Sequence, residues 1–211
     1  CVKPKELELL KDFINENLNV DSALFQQQLL SQLRMLLVRI RDSCVQEYHL
    51  KSKNTEFSLC VSQLEFVEWL AQTAIKNTFP GACYQRRRLS LQILGILYDV
   101  FIVSPLGIKR KEKPSKNVNL VIEWAQNHEF WHFFKNNLLL NIIPCLTDYT
   151  DEIRALAADL LLEYSIWSTI SDQNIYFSSK YLLNYAHTLC NHPDYRNNDG
   201  GAHLYSILFV K

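Results

Sequence analysis

Along most of the chain apolar residues recur every three or four positions, the spacing that places them on one face of a helix. Residues 142–164, IIPCLTDYTDEIRALAADLLLEY, show the pattern most fully. An apolar helix ends at Pro144 and Leu146, and a polar turn follows through Asp148, Thr150 and Asp151. A second helix then carries Ile153, Leu156, Ala157, Leu160, Leu161 and Tyr164 on one face. The Ala157–Ala158 pair keeps this helix slim, so a neighbour can approach closely. Asp151 is placed to cap it, with Arg154 in the first turn. Such a helical pair buries its apolar face only against stacked neighbours, which makes it one repeat of a solenoid.

The same pattern predicts helices elsewhere. Pro4 opens the first, which runs to about Asn17 with Glu6 and Glu8 at its positive end. Asp21 or Ser22 caps a long second helix with the stripe Leu29, Leu33, Leu36, Leu37, Ile40 and Cys44, and residues 51–56 read as a polar loop. A third helix carries Cys60, Leu64, Val67, Ala71 and Ala74 and stops at Phe79-Pro80-Gly81. The fourth spans residues 84–102 on Leu89, Ile93, Ile96, Leu97 and Val100. After a loop at 104–117, helices follow from residues 118, 129, 151 and 179, and a last one starts at Gly200. The fold class is therefore all-α: an ARM/HEAT-like α-solenoid, a right-handed superhelix of stacked helical pairs. No domain boundary stands out, so residues 1–211 read as a single helical-repeat segment, with the basic loop at 104–117 its most exposed feature to proteolysis. The chain opens at Cys1 in mid-pattern, and the expectation is an internal piece of a larger solenoid.

Composition narrows the classes. Only five glycines and six prolines occur in 211 residues, too few for an all-β fold with many tight turns. No apolar run approaches the roughly 20 residues that span a bilayer. The six cysteines show no two-residue spacing and sit mostly among helical apolar positions, which favours buried, reduced thiols in an intracellular protein over a zinc cluster or disulfide framework. A cytoplasmic setting is expected.

The formal charge is zero but unevenly placed. Residues 81–116 hold eight basic side chains against two acidic ones, Asp99 and Glu112. Helical phase, extrapolated from Leu89, Ile93 and Ile96, sets Arg86 on the core side and points Arg87 and Arg88 outward. Arg87 and Arg88, with Lys109, Arg110, Lys111, Lys113 and Lys116, are the candidate contacts to an RNA backbone or an acidic partner. Solvated surface charge is the competing reading for all of them. No glycine-rich phosphate loop, Ser/His/Asp constellation or cofactor-binding strand-turn-helix is visible, so no cofactor is expected and the chain reads as a non-enzyme.

Three stretches carry a resemblance to a known family. FPGACYQRRRLSLQILGILYDVF at 79–101, CLTDYTDEIRALAADLLLEY at 145–164 and DGGAHLYSILF at 199–209 resemble segments of the THADA (thyroid-adenoma-associated) family in the same order. The arginine-arginine-serine-alanine-glycine signature of that family's domain of unknown function is absent here. The resemblance implies a long ARM/HEAT-type solenoid that acts as the non-catalytic partner of a tRNA 2′-O-ribose methyltransferase working in the anticodon loop. It further implies a scaffold that presents tRNA to the enzyme and itself binds no S-adenosylmethionine.

Two alternatives stand beside it. One is a HEAT-repeat adaptor for proteins with no RNA role. The other is a zinc peptidase, from His128-Glu129-Phe130-Trp131-His132, a literal HExxH with Glu152 twenty residues further on. The peptidase ranks last: Gln126 and Asn127 precede the motif where an apolar helix should bury the metal, no strand is available to align a substrate, and Glu152 suits a helix's first turn. Phe130, Trp131, Phe133 and Phe134 are more simply packing residues.

Overall fold

A computed structural model describes residues 4–51, 59–103, 141–170 and 179–209. Those residues are helical, with turns between, and contain no strand. Helix α1 is Pro4–Asn17, α2 Ala23–Lys51, α3 Leu59–Lys76 and α4 Tyr84–Tyr98. A wider π-helical segment, Asp99–Val103, continues α4. A short 3-10 segment, Ile143–Thr147, precedes α5 at Asp151–Ile170. Helices α6, Ser179–Cys190, and α7, Tyr195–Phe209, form the C-terminal hairpin. The loop expected at 51–56 falls outside the described residues apart from Lys51, the last residue of α2. The loop at 104–117, the helices expected from residues 118 and 129 and the HExxH stretch all lie outside them. None of the described helices is long and apolar enough to cross a membrane.

Packing follows the order of the chain. Helix α1 rests on α3, α2 on α3 and α4, α4 on α5, and α5 on α7. Each element meets its near neighbours in sequence, which is the architecture of an α-solenoid. One buried apolar cluster runs through the stack, from Leu7 and Ile14 in α1 through Leu37, Leu70, Leu94 and Tyr98 to Leu161 and Leu204. Cys44 and Cys145 are buried in it as free thiols, while the free thiol of Cys83 is exposed. Cys1 and the Cys60 side chain lie outside the described residues.

Local chemistry fixes the helix ends. Ser22 opens α2, its carbonyl accepting from the Gln26 amide at 2.9 Å. The turn after α3 closes through the Thr78 hydroxyl, which donates to the Ile75 carbonyl at 2.7 Å, and the Ala82 amide, which donates to the Phe79 carbonyl at 3.0 Å. Several boundaries differ from the sequence expectation. Asp151 is the first residue of α5 rather than its cap. The turn is organised by Asp148, whose Oδ1 accepts from the Thr150 amide at 2.9 Å. Helix α5 also runs on to Ile170, and α7 starts at Tyr195 rather than Gly200, with Asp194 Oδ1 accepting from the Arg196 amide at 3.0 Å.

The two glycines of α7 therefore lie inside the helix, where close packing requires them. A Cβ on Gly200 would overlap the Leu146 carbonyl oxygen of the 3-10 segment. One on Gly201 would lie 2.7 Å from Cys190 Sγ and 2.9 Å from the Ala186 carbonyl oxygen of α6. Bare backbone lets α7 wedge between these two elements.

Candidate functional site

Three consecutive arginines occupy the first two turns of α4, and each meets a different set of partners. Arg86 Nε donates to Asn19 Oδ1, in the turn between α1 and α2. Arg87 Nη1 pairs with Asp148, with side-chain exposures of only 8% and 4%. Arg88 Nε donates to Glu152 Oε1 in α5 at 2.6 Å, and its Nη1 donates to the buried Gln26 Oε1 in α2 at 2.6 Å. Tyr84, one turn earlier, donates its hydroxyl proton to the second oxygen of Glu152. Asp148 also uses its backbone: its carbonyl accepts from Arg154 Nη1 at 2.7 Å. The other end of Arg154 pairs with Asp199 of α7, and His203 Nε2 lies 2.7 Å from Asp151 Oδ1. Two sets of contacts, Gln26–Arg88–Glu152–Tyr84 and Arg87–Asp148–Arg154–Asp199, form a polar web that ties α2, α4, α5 and α7 together.

This geometry corrects the expectation for Arg87. It does not point outward; it is buried and joined to Asp148. The reason lies in the phase of α4. Beside the stripe of Leu89, Ile93 and Leu97, the helix has a second buried stripe of Leu91, Leu94 and Tyr98. Arg87 is four residues before Leu91 and so lies on that second stripe. Extrapolation from a single stripe gave Arg86 the inward position that Arg87 holds. Arg88 is half-buried and already holds Glu152 and Gln26. Lys109, Arg110, Lys111, Lys113 and Lys116 lie outside the described residues.

The electrostatics follow from these contacts. The Tyr84 hydroxyl, and after it Arg88, hold the Glu152 carboxyl below its usual range, and the same hydrogen bond raises the Tyr84 phenol. Burial pushes the Cys145 thiol up to about 12, so it stays protonated and unreactive at neutral pH. At the edge of the web Arg196 lies over the Tyr149 ring, 4.4 Å from its centroid, and hydrogen bonds from Arg196 lower Asp194 to about 2.

Asp151, Asp199 and His203 form the one grouping of metal-ligating side chains among the described residues. The Arg154 guanidinium occupies the cation's place there, paired with Asp199 and 3.7 Å from Asp151. Glu152, the residue spaced to be a third zinc ligand to the HExxH, is engaged by Tyr84 and Arg88 instead. The arrangement is a lock between helices rather than a set of groups poised on a substrate. Sequence reasoning missed Asp148, Asp199 and His203 as its members. The spacing from Asp148 to Thr150 carried a signal for the turn, since an Asp side chain readily accepts from the amide two residues on, but no local signal marks the long-range partners.

Comparison with known proteins agrees with the resemblance read from the sequence. The family model described as "Trm732, TPR repeats" matches residues 1–155. A Mus musculus protein named tRNA (32-2′-O)-methyltransferase regulator THADA is 26% identical over 176 residues, covering 78% of this chain and 8% of its own length. The Homo sapiens protein of the same name is 25% identical over the same coverage, and the Gallus gallus one is 24% identical over 174 residues. The chain thus spans about 8% of the length of these curated relatives. No solved structure matches.

Proposed function

Since the chain belongs to the Trm732 TPR-repeat family, we propose that it is a scaffold segment of a non-catalytic regulatory subunit for tRNA 2′-O-ribose methylation in the anticodon loop. The single observation that carries this reading is its similarity to relatives named as regulators of a tRNA (32-2′-O)-methyltransferase. In this reading the methyltransferase partner supplies the catalytic groups and binds S-adenosylmethionine, and the solenoid, working in the cytoplasm, holds enzyme and tRNA in register. The arginine web supports a structural part in this. It fixes α4, the helix before residues 104–140, to α5, the helix after them.

Contact with RNA is assigned to Lys109, Arg110, Lys111, Lys113 and Lys116. They meet phosphates without reading sequence, so specificity comes from tRNA shape and from the enzyme. A second reading, a protein-binding adaptor with no RNA role, draws on the observation that Arg86, Arg87 and Arg88 all hold intramolecular partners. The two part in a salt series of tRNA binding. On the RNA reading, five phosphate contacts give a slope of log affinity on log salt of about −3 to −4. Replacing the five basic residues with Glu then abolishes binding. A well-folded chain that binds no tRNA leaves the adaptor reading in its place.

A further inference from the structure

Helix α4 does not end as a regular helix. Its last turn widens into the π-helical segment Asp99–Val103, in which an amide donates to the carbonyl five residues back rather than four. Such segments are rare and have specific causes. Here the cause is in the sequence. Pro105 has no N–H to donate. In the α register the carbonyl that takes the amide of residue 105 is that of Phe101; in the π register it is that of Val100. The change of register therefore moves the missing donor from one carbonyl to the other.

What lies opposite makes that move favourable. Val100 is 0% exposed, so water does not reach it, and a buried carbonyl without a donor is strongly disfavoured. Arg41 of α2 supplies the donor, its Nη1 bonding the Val100 carbonyl at 2.8 Å. The other edge of the guanidinium is held by Asp42 Oδ1, which accepts from Nε at 2.9 Å and from Nη2 at 2.8 Å. Two turns earlier on the same face of α2, Arg34 pairs with Asp99. Two arginines of one helix thus bracket the π-helical segment, with Leu37 buried between them. The register matters because one residue more or less turns the exit of a helix by about 100° around its axis.

We propose that Arg41 is a latch on the end of α4. It stands in for the N–H that Pro105 lacks, and so fixes against α2 the point at which the chain leaves α4. The latch serves either reading of the function.

Amide hydrogen exchange of the whole chain, followed by NMR, tests this. In the π register the Val103 amide donates to the Tyr98 carbonyl and reports on the segment. Arg41→Ala speeds its exchange roughly tenfold, while amides of α1 keep the parent rate. Asp42→Ala leaves Val103 near the parent rate, because the contact to Val100 survives. The deciding variant combines Arg41→Ala with Pro105→Ala. An amide at residue 105, or at 104 if the helix returns to the α register, then serves the Val100 carbonyl, and protection of Val103 returns. A packing role for Arg41 is not rescued in this way. Unchanged exchange in Arg41→Ala, equally fast exchange in Asp42→Ala, or no recovery in the double variant overturns the proposal. If Arg41→Ala does not fold, the double variant must, and a double variant that stays unfolded overturns it as well.

Discussion

Where α1 rests on α3, the buried groups are almost all hydrocarbon: Leu7, Ile14 and Leu18 on one side, Phe66, Val67, Leu70 and Ala71 on the other. Where α4 meets α5, and α5 meets α7, buried leucines and alanines are joined by Arg87, Asp148 and Arg154. Apolar burial is non-directional and roughly proportional to area, so the first contact tolerates small sliding. A guanidinium held between a carboxylate and a carbonyl tolerates little, because its donors are fixed in a planar fork. The difference teaches that stability and alignment of a solenoid can come from different residues. Apolar faces hold the pairs together, and the buried charges define how α4, α5 and α7 sit against one another.

The largest expected effect comes from breaking the buried pair. Arg87→Ala leaves the Asp148 carboxylate buried and unpaired, at a cost of about 3–5 kcal/mol in urea unfolding. A Leu70→Ala control on the apolar side costs about 2–5 kcal/mol through cavity formation. The two regions separate in the repair. Arg87→Met combined with Asp148→Asn, which keeps the acceptor for the Thr150 amide, recovers most of the lost stability, since no charge is left buried. Arg87 also keeps a buried Nε without a hydrogen-bond partner among the described residues, which adds to the cost that this replacement relieves. If the double variant stays as unstable as Arg87→Ala, the web is a source of stability and the contrast between the regions fails.

A second effect probes the same junction by pH. Cys145, beside this web, is pushed up to about 12 in the folded chain against an ordinary 9.0. Above pH 9 the unfolded chain gives up this proton while the folded chain keeps it, so stability falls as pH rises. The slope from this group is about 1.4 kcal/mol per pH unit between the two values. Urea midpoints measured up to pH 10 should fall more steeply for the parent than for Cys145→Ala, and parallel curves would show that the thiol is not so deeply buried. Alkylation gives the same contrast, since exposed Cys83 reacts in the folded chain and Cys145 only after unfolding.

Much of the fold could be read from the chain because helix stripes are local. Pro4 and Asn17 bound α1, Ser179 opens α6, and Leu33, Leu37, Val67 and Leu161 occupy the inward positions that their stripes predict. What could not be read depends on residues far apart in sequence. Arg87 and Asp148 are 61 positions apart, and Arg154 and Asp199 are 45 apart. No periodicity reports such pairings, so the sequence pattern alone leaves Arg87 and Arg88 as free basic side chains. Gly200 and Gly201 misled for a related reason. As weak helix formers they suggest a helix boundary, but the approach of Leu146 and Cys190 requires bare backbone in mid-helix. The candidate RNA contacts at 109–116 rest on composition and charge, which name a class of ligand but not a geometry.

The smallest expected effect lies at the rim of the web, where Glu152 accepts from Tyr84 and Arg88. Glu152 is 43% exposed and Arg88 27%, so solvent screens the pair and Glu152→Gln costs only about 0.2–1 kcal/mol. Its depressed folded pKa means that this contribution is present above the ordinary value of 4.5 and lost as pH falls through the lower folded value. The phenol reports the contact more sharply than stability does. With Glu152 in place, ionising Tyr84 breaks a hydrogen bond and sets two negative charges side by side, which holds its pKa above 10. Glu152→Gln removes the charge and lets Tyr84 titrate closer to 10, as seen in the phenolate absorbance difference against Tyr84→Phe. If that titration does not move, Tyr84 and Glu152 are not in contact in solution. Tyr84 would then drop out of the web, leaving the alignment of α4 on α5 to Arg88 with Glu152 and to the buried pair.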